Sequence, residues 1–362
     1  MRGLYCLYSF ISFFLFTACS ESIISDQELK GFEQHIFSEI ENQNLVGISV
    51  ACSFKDFNWS AAYGFANLEN QIPARINSRY RMASVTKPMT AVAIALLAQR
   101  GNINLDDPVQ SYVPYFPGKK WPVTLTHLLG HIGGISHYRD YEKECNTTAD
   151  FSMQESVALF SDWSLLHEPG TKYQYTTYGY NLLGAVIQES SRIPYGQFMQ
   201  ENIWTPLQMH ETSLDNLKQI IPNRVRGYKK QDSMIVNCRP VNTSMKMAGG
   251  GTVSTVGDML KFANGLGDLK ILNKSWLNKM WTSMVLNDNK ETGYGMGWRI
   301  SKFNDHFKVE HSGSQEGTST MLMHLPDKKL TVAVASNLES SNVREVANKL
   351  IEILLNETLG EN

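Results

Sequence analysis

The 362-residue chain is short of charge, of cysteine and of long apolar runs. Charged residues are 19% of it and the formal net charge is −2, with no basic cluster, so the footprint of a nucleic-acid binder is absent. Five cysteines occur, Cys6, Cys19, Cys52, Cys145 and Cys238, and none of their spacings suggests a zinc site. There is no internal repeat and no low-complexity segment. No Gly-x-Ser-x-Gly elbow is present, which removes an α/β-hydrolase triad from consideration. The apolar fraction of 42% is that of an ordinary globular protein, and the length allows two domains or one large one.

The one apolar run near the N-terminus, Leu4 to Phe16, follows Met1-Arg2 and precedes the small residues Thr17-Ala18 and then Cys19. It is shorter than the roughly 20 residues of a comfortable membrane span and reads as a secretory signal over residues 1–19, the alternative being an uncleaved anchor. Leu15-Phe16-Thr17-Ala18-Cys19 resembles a bacterial lipobox, with Phe16 where leucine is usual. That resemblance implies lipidation of Cys19 and, because Ser20 follows rather than aspartate, an exported protein of the periplasm or outer membrane, held by a lipid anchor. In such an oxidising compartment Cys145 and Cys238, both in polar loop-like sequence, are candidates for one bridge, while Cys52 in an apolar strand reads as a buried free thiol.

Periodicity predicts a helix over 26–44, strands over 47–54 and 58–65 joined as a hairpin, and a buried helix over Met89 to Leu97. From about 102 to 235 the pattern is mostly short helices and loops, with Thr176 to Ser191 the clearest helix. After Gly249-Gly250-Gly251 a helix Met259 to Leu266 is expected. Strands over Tyr294 to Ile300, Phe307 to His311, Thr318 to Leu325 and Leu330 to Ser336 follow, and a closing helix Asn342 to Leu355. Terminal sheet-and-helix segments around a helical insert predict an α+β fold, an antiparallel sheet flanked by helices plus an all-helical subdomain. The expected organisation is one catalytic domain over 20–362, its α/β part at about 26–100 and 240–358 and its helical part at about 101–239, with the site in the groove between them.

Ser84-Val85-Thr86-Lys87 carries the chemistry. Residues three apart on a helix share a face, so the Ser84 hydroxyl and the Lys87 amine fall within reach of one another. The apolar helix that follows buries Lys87, and burial lowers a lysine's pKa until it can act as a base. No other serine of the chain has a lysine three residues on. Tyr175, after Pro169-Gly170, is a candidate proton relay, its phenol acidified by a neighbouring positive lysine. His311-Ser312-Gly313-Ser314, at a strand end, is a candidate substrate and oxyanion segment in which Gly313 permits close backbone approach. Taken singly, Tyr175 reads rather as one of fifteen packing tyrosines, and His311 equally as a lone histidine at a strand end.

Together the three elements resemble the serine β-lactamase-like family of class C β-lactamases and penicillin-binding proteins. The resemblance runs from about Val46 to Asn337. It includes Leu105-Asp106-Asp107-Pro108-Val109, Thr124-Leu125-Thr126-His127-Leu128-Leu129, Gly179-Tyr180-Asn181-Leu182-Leu183-Gly184 and Tyr294-Gly295-Met296-Gly297-Trp298. Ala248-Gly249-Gly250-Gly251 with Ser254-Thr255-Val256-Gly257-Asp258 is similar to the branch of the mitochondrial serine β-lactamase-like protein. The resemblance implies the β-lactamase/transpeptidase-like fold and an acyl-enzyme mechanism without a cofactor. Ser84 attacks a carbonyl of a small-molecule or peptide acyl donor, Lys87 and Tyr175 shuttle protons, and water releases the acyl group.

Two departures bear on substrate. Thr177 stands where asparagine is usual and cannot offer an amide NH₂. His311 stands where lysine is usual, which makes positive charge there partial and pH-dependent. Both favour a peptidase, esterase or amidase over an efficient β-lactamase. The alternatives are a catalytically inactive penicillin-binding-like protein and, remotely, a zinc metalloprotease built on His127, His131 and His137, which lacks the glutamate of that motif because Leu128 follows His127. His127 and His131 otherwise read as structural, and Asp106, Asp107 and Asp258 as loop, cap or packing residues.

Overall fold

The computed structural model describes residues 24–356 apart from Asn146; the expected leader, with Cys6 and the lipidation candidate Cys19, lies outside them. Helix α1 (Asp26–Gln43) starts at Ser25, whose side chain accepts the Glu28 amide while Glu28 reaches back to the Ser25 amide. Strands β1 (Gly47–Phe54) and β2 (Phe57–Asn67) form the expected hairpin, and β3 (Ile72–Pro73) adds to its outer edge. The chain then enters α2 (Thr86–Gln99), whose residues Thr86 to Leu97 are all buried. A helix apolar on every side belongs in the middle of a protein, and α2 lies there.

The helical portion that follows includes α3 (Thr177–Ser191), and the chain returns through α4 (Met247–Gly250) and α5 (Val256–Gly267). Strands β4 (Arg299–Phe303), β5 (His306–Gln315), β6 (Thr318–Leu325) and β7 (Leu330–Ser336) precede the last helix, α6 (Val343–Asn356). The seven strands make one antiparallel sheet in the order β3-β2-β1-β7-β6-β5-β4. Its first and last long strands are central neighbours, with Val50 opposite Val334.

Alternation along the central strands explains the layering. Ile48, Val50, Cys52, Val332 and Val334 face one way, onto Phe32 and Ile36 of α1 and onto Val346, Leu350, Ile351 and Leu354 of α6. Ala51, Leu322, Ala333 and Ala335 face the other way, into the core shared with α2, α3 and α5. Each fully buried leucine or isoleucine of α6 contributes about 1.5–3 kcal/mol, enough to hold the chain terminus on the sheet. Among the described residues no helix is long and apolar enough to cross a membrane.

Three expectations need correction. Residues Tyr294 to Trp298 are not strand: the Gly295 amide bonds the Trp298 carbonyl at 2.8 Å, Gly297 has φ +81°, and pairing begins only at Arg299. The glycines let this turn press against α2, where a Cβ on Gly297 would lie 2.7 Å from that of Ala91. A hairpin of Tyr228–Gln231 and Met234–Asn237 stands in the stretch expected to be helices and loops. Cys145 and Cys238 are not bridged. Cys145 is buried on the short helix Tyr141–Cys145, Cys238 Sγ lies 3.8 Å from Glu339 Oε2, and burial pushes both thiols up to about 12. Cys52 is a buried free thiol in β1.

Candidate active site

Ser84 does not open α2 directly. It sits in a 3₁₀ turn, Ala83–Val85, that feeds into it. Ala83 has φ +47°, a left-handed conformation that costs a residue with a Cβ roughly 1–2 kcal/mol. The surroundings enforce it. Thr320 Oγ1 donates to the Met82 carbonyl at 3.0 Å, Thr318 Oγ1 to the Arg81 carbonyl at 2.9 Å, and the Met82 amide bonds the Thr252 carbonyl at 2.8 Å. The turn thus lifts Ser84 to a half-buried position at the cleft, above fully buried Lys87.

Lys87 Nζ has three oxygen neighbours: Ser84 Oγ at 2.9 Å, Thr177 Oγ1 at 3.2 Å and the Gly249 carbonyl at 2.7 Å. Burial, then the charges of Lys246 and Arg299, hold this amine well below the ordinary lysine value. A neutral amine has two hydrogens and one lone pair. The carbonyl can only accept, so one N–H goes to Gly249 and the other to Thr177. The lone pair is left for the Ser84 hydroxyl, which is the arrangement a general base requires.

The Tyr175 phenol lies close enough to Ser84 to feel its hydroxyl, and the Lys87 amine lies 4.9 Å from its ring centroid. The expected acidification does not occur. Burial raises the phenol's pKa and outweighs the Ser84 hydroxyl and the charge of Arg299, while the nearby amine favours its neutral form. Tyr175 therefore keeps its proton at neutral pH, as an acid rather than a phenolate.

Thr177, expected at the substrate, is 5% exposed and lies behind Lys87, its hydroxyl in turn bonding the Tyr138 phenol. His311 lies on β5 with its ring 6.2 Å from that of Tyr175, but it lacks the expected charge. Its Nδ1 donates to the Ser312 carbonyl at 2.7 Å, which leaves Nε2 to accept the Tyr294 hydroxyl at 3.0 Å. Burial first, then Lys87 and the arginines 299 and 344, hold its pKa well below the usual histidine value, so the expected partial positive charge is absent. Ser312 and Ser314 alternate with buried Gly313 on β5, Ser314 exposed and Ser312 half-buried. Strand β4 pairs with β5 only as far as Glu310, so the outer edge of residues 311–315 carries no strand.

The three histidines of the zinc-like spacing serve separate backbone amides. His127 Nδ1 accepts from Thr124, His131 Nδ1 from Thr176 at 3.2 Å and His137 Nδ1 from Thr177 at 3.3 Å. Among the described residues they form no metal-holding cluster. His131 also packs its ring 4.3 Å from that of Tyr175, so His131 and His137 orient the Tyr175–Thr177 segment. Asp258 accepts the Glu211 amide, the Thr212 hydroxyl and Lys261 Nζ, as a packing residue does.

Arg299 was not singled out by the sequence. It is half-buried at the start of β4, its guanidinium 5.9 Å from the Tyr175 ring, and among the described residues no carboxylate lies within ion-pairing distance of it. It is the unpaired cation that His311 fails to be. The Gly249 carbonyl was missed for a different reason, since a main-chain acceptor leaves no mark on the residue type.

A family description of β-lactamases matches residues 32–356. The chain is 28% identical to the mitochondrial serine β-lactamase-like protein LACTB of Homo sapiens, over 84% of this chain and 75% of that one. It is 26% identical to penicillin-binding protein 4* of Bacillus subtilis, over 85% and 71%. Among solved structures, the octameric penicillin-binding protein homologue from Pyrococcus abyssi superposes with a TM-score of 0.80 at 26% identity, covering 91% of this chain and 77% of that one. With a Ser-x-x-Lys pair at the entry of its buried central helix and this match across nearly the whole chain, the protein belongs to the β-lactamase family, within the fold shared with penicillin-binding proteins.

Proposed function

We propose that the protein is a serine hydrolase that cleaves amides or esters through an acyl-enzyme on Ser84. The observation that carries this reading is the three-oxygen setting of the buried Lys87 amine, 2.9 Å from Ser84 Oγ. In the reaction Ser84 Oγ bonds to the substrate carbonyl carbon as its proton passes to Lys87. Backbone amides of Ser84 and of the Gly313–Ser314 segment take the developing oxyanion. Collapse breaks the bond to the leaving group, which takes the Tyr175 proton, and Lys87 returns its own to Tyr175. Water then attacks the ester by the same route and frees Ser84.

Arg299 supports a preference for acyl donors that carry a carboxylate, since it faces the Tyr175 side of the cleft without an anionic partner. Thr177, committed to Lys87, has no amide to give a substrate, and neutral His311 has no charge to give one. Both support a peptidase, esterase or amidase over an efficient β-lactamase. The test is turnover of penicillin-type and cephalosporin-type substrates beside simple esters and peptide amides. A kcat/KM for β-lactams above about 10⁵ M⁻¹s⁻¹ contradicts the preference.

A further inference from the structure

Lys246 is a lysine with only 2% exposure, placed directly before α4, the short turn whose Gly249 carbonyl holds Lys87. Its Nζ lies 3.3 Å from Glu316 Oε2 and 3.4 Å from the Tyr141 hydroxyl, over the Tyr141 ring. Glu316 stands in the corner between β5 and β6, one residue past Gln315. Burying two charges costs several kcal/mol per ion before pairing, so a pair this enclosed needs a compensating reason. Burial alone would raise the Glu316 carboxyl, but Lys246, Tyr141 and the backbone outweigh it and hold it below the ordinary range. The Glu316 carboxyl is therefore ionised beside Lys246.

The groups that face Lys87 come from every neighbouring element. Tyr175 and Tyr180 flank it, His131 and His137 lie above α3, His311 comes from β5 and Arg299 from β4. The histidines are all held low, first by burial, and the tyrosines keep their protons, so the fixed charges acting on Lys87 are Lys246 and Arg299. Arg299 opens to the cleft and loses its influence once an anion binds there. Lys246 is sealed in by Glu316 and Tyr141 and keeps its influence throughout the cycle.

We propose that Lys246, held by Glu316, is a positioning residue for acyl transfer: it pins the turn whose Gly249 carbonyl holds Lys87 to the β5–β6 corner and keeps a buried positive charge three residues from that carbonyl. The inference rests on the reading of Ser84 as nucleophile and Lys87 as base. It is tested by the rate at which a fluorophosphonate labels Ser84 as a function of pH. The double variant Lys246→Met/Glu316→Gln removes the charge without leaving either partner buried and unpaired. Its rising limb should move up by about one pH unit, a roughly tenfold slower labelling on that limb, and the high-pH plateau should stay within about threefold of wild type. Lys246→Arg should leave the limb in place. If the double variant does not fold, Lys246→Gln, which still donates to Glu316, must show the same upward move. A lowered plateau with an unmoved limb means a purely structural role and overturns the proposal, as does an unchanged profile. Wild-type protein that is not labelled at any pH overturns the parent reading and this one with it, whereas labelling with an unmoved limb overturns this one alone.

Discussion

Gly313 lies face to face with the carbonyl of Met82: a Cβ on Gly313 would stand 2.4 Å from that oxygen, 2.3 Å from Thr320 Oγ1 and 3.0 Å from the Ala83 Cβ. No real Cβ occupies such a position, and two of the three obstacles are a backbone and a Cβ with nowhere to go. The close approach of β5 to the Ala83–Val85 turn is what brings its amides toward Ser84.

Gly313→Ala must push β5 and the Ala83–Val85 turn apart. The expected outcome is a loss of about 1–3 kcal/mol of stability from overpacking, with acylation of Ser84 slowed at least a hundredfold. Thermal unfolding and labelling kinetics on the same preparation check both numbers.

Lys87 is a site where function costs stability. Its pKa is depressed in the folded state, so between that lowered value and the ordinary lysine value the unfolded chain binds more protons. Stability contributed by this group therefore rises with pH across that window. Lys87→Met should abolish turnover, raise Tm at neutral pH by about 2–5 °C and flatten that part of the pH–stability curve. A variant that melts lower at neutral pH and keeps the slope contradicts the assignment of a neutral amine.

The pH dependence of turnover follows from the same group. Activity should rise as Lys87 loses its proton, at a pH well under the ordinary lysine range. His131 and His311 are held well below the usual histidine value and His137 at about 4, all chiefly by burial, so no histidine limb should intrude near neutrality. The fit of kcat/KM against pH checks this, and survival of the limb in His137→Gln makes the distinction.

Arg299→Met should raise KM about ten- to a hundredfold for acyl donors bearing a carboxylate and leave kcat within about threefold. Neutral esters should be indifferent to the change. Paired kinetics on a charged and an uncharged ester of the same alcohol read this directly, and equal losses on both would place Arg299 in the chemistry instead.

The sequence carried the local half of this site and little of the rest. Ser84 and Lys87 are three residues apart, so their proximity follows from helix geometry even though the turn begins as 3₁₀ at Ala83. The sheet's central strands were legible because Val332, Val334 and their neighbours alternate so strictly. Tyr294 to Trp298 misled because a strand-like composition hides what the glycines permit. Arg299, Lys246 and Glu316 were illegible because nothing local distinguishes a buried or unpaired charge from the solvated kind. Their meaning arises only when β4, α4 and the β5–β6 corner converge on a helix far away in the chain. The charge of His311 was misread because the Tyr294 hydroxyl that closes its second nitrogen comes from that same hidden turn.

The most direct test of the account is intact mass after exposure to a fluorophosphonate. The account predicts a single adduct on the wild-type protein, located on Ser84 by peptide mapping, absent from Ser84→Ala and slowed at least a thousandfold in Lys87→Met. An adduct on another residue, or one formed as fast without the Lys87 amine, would contradict it.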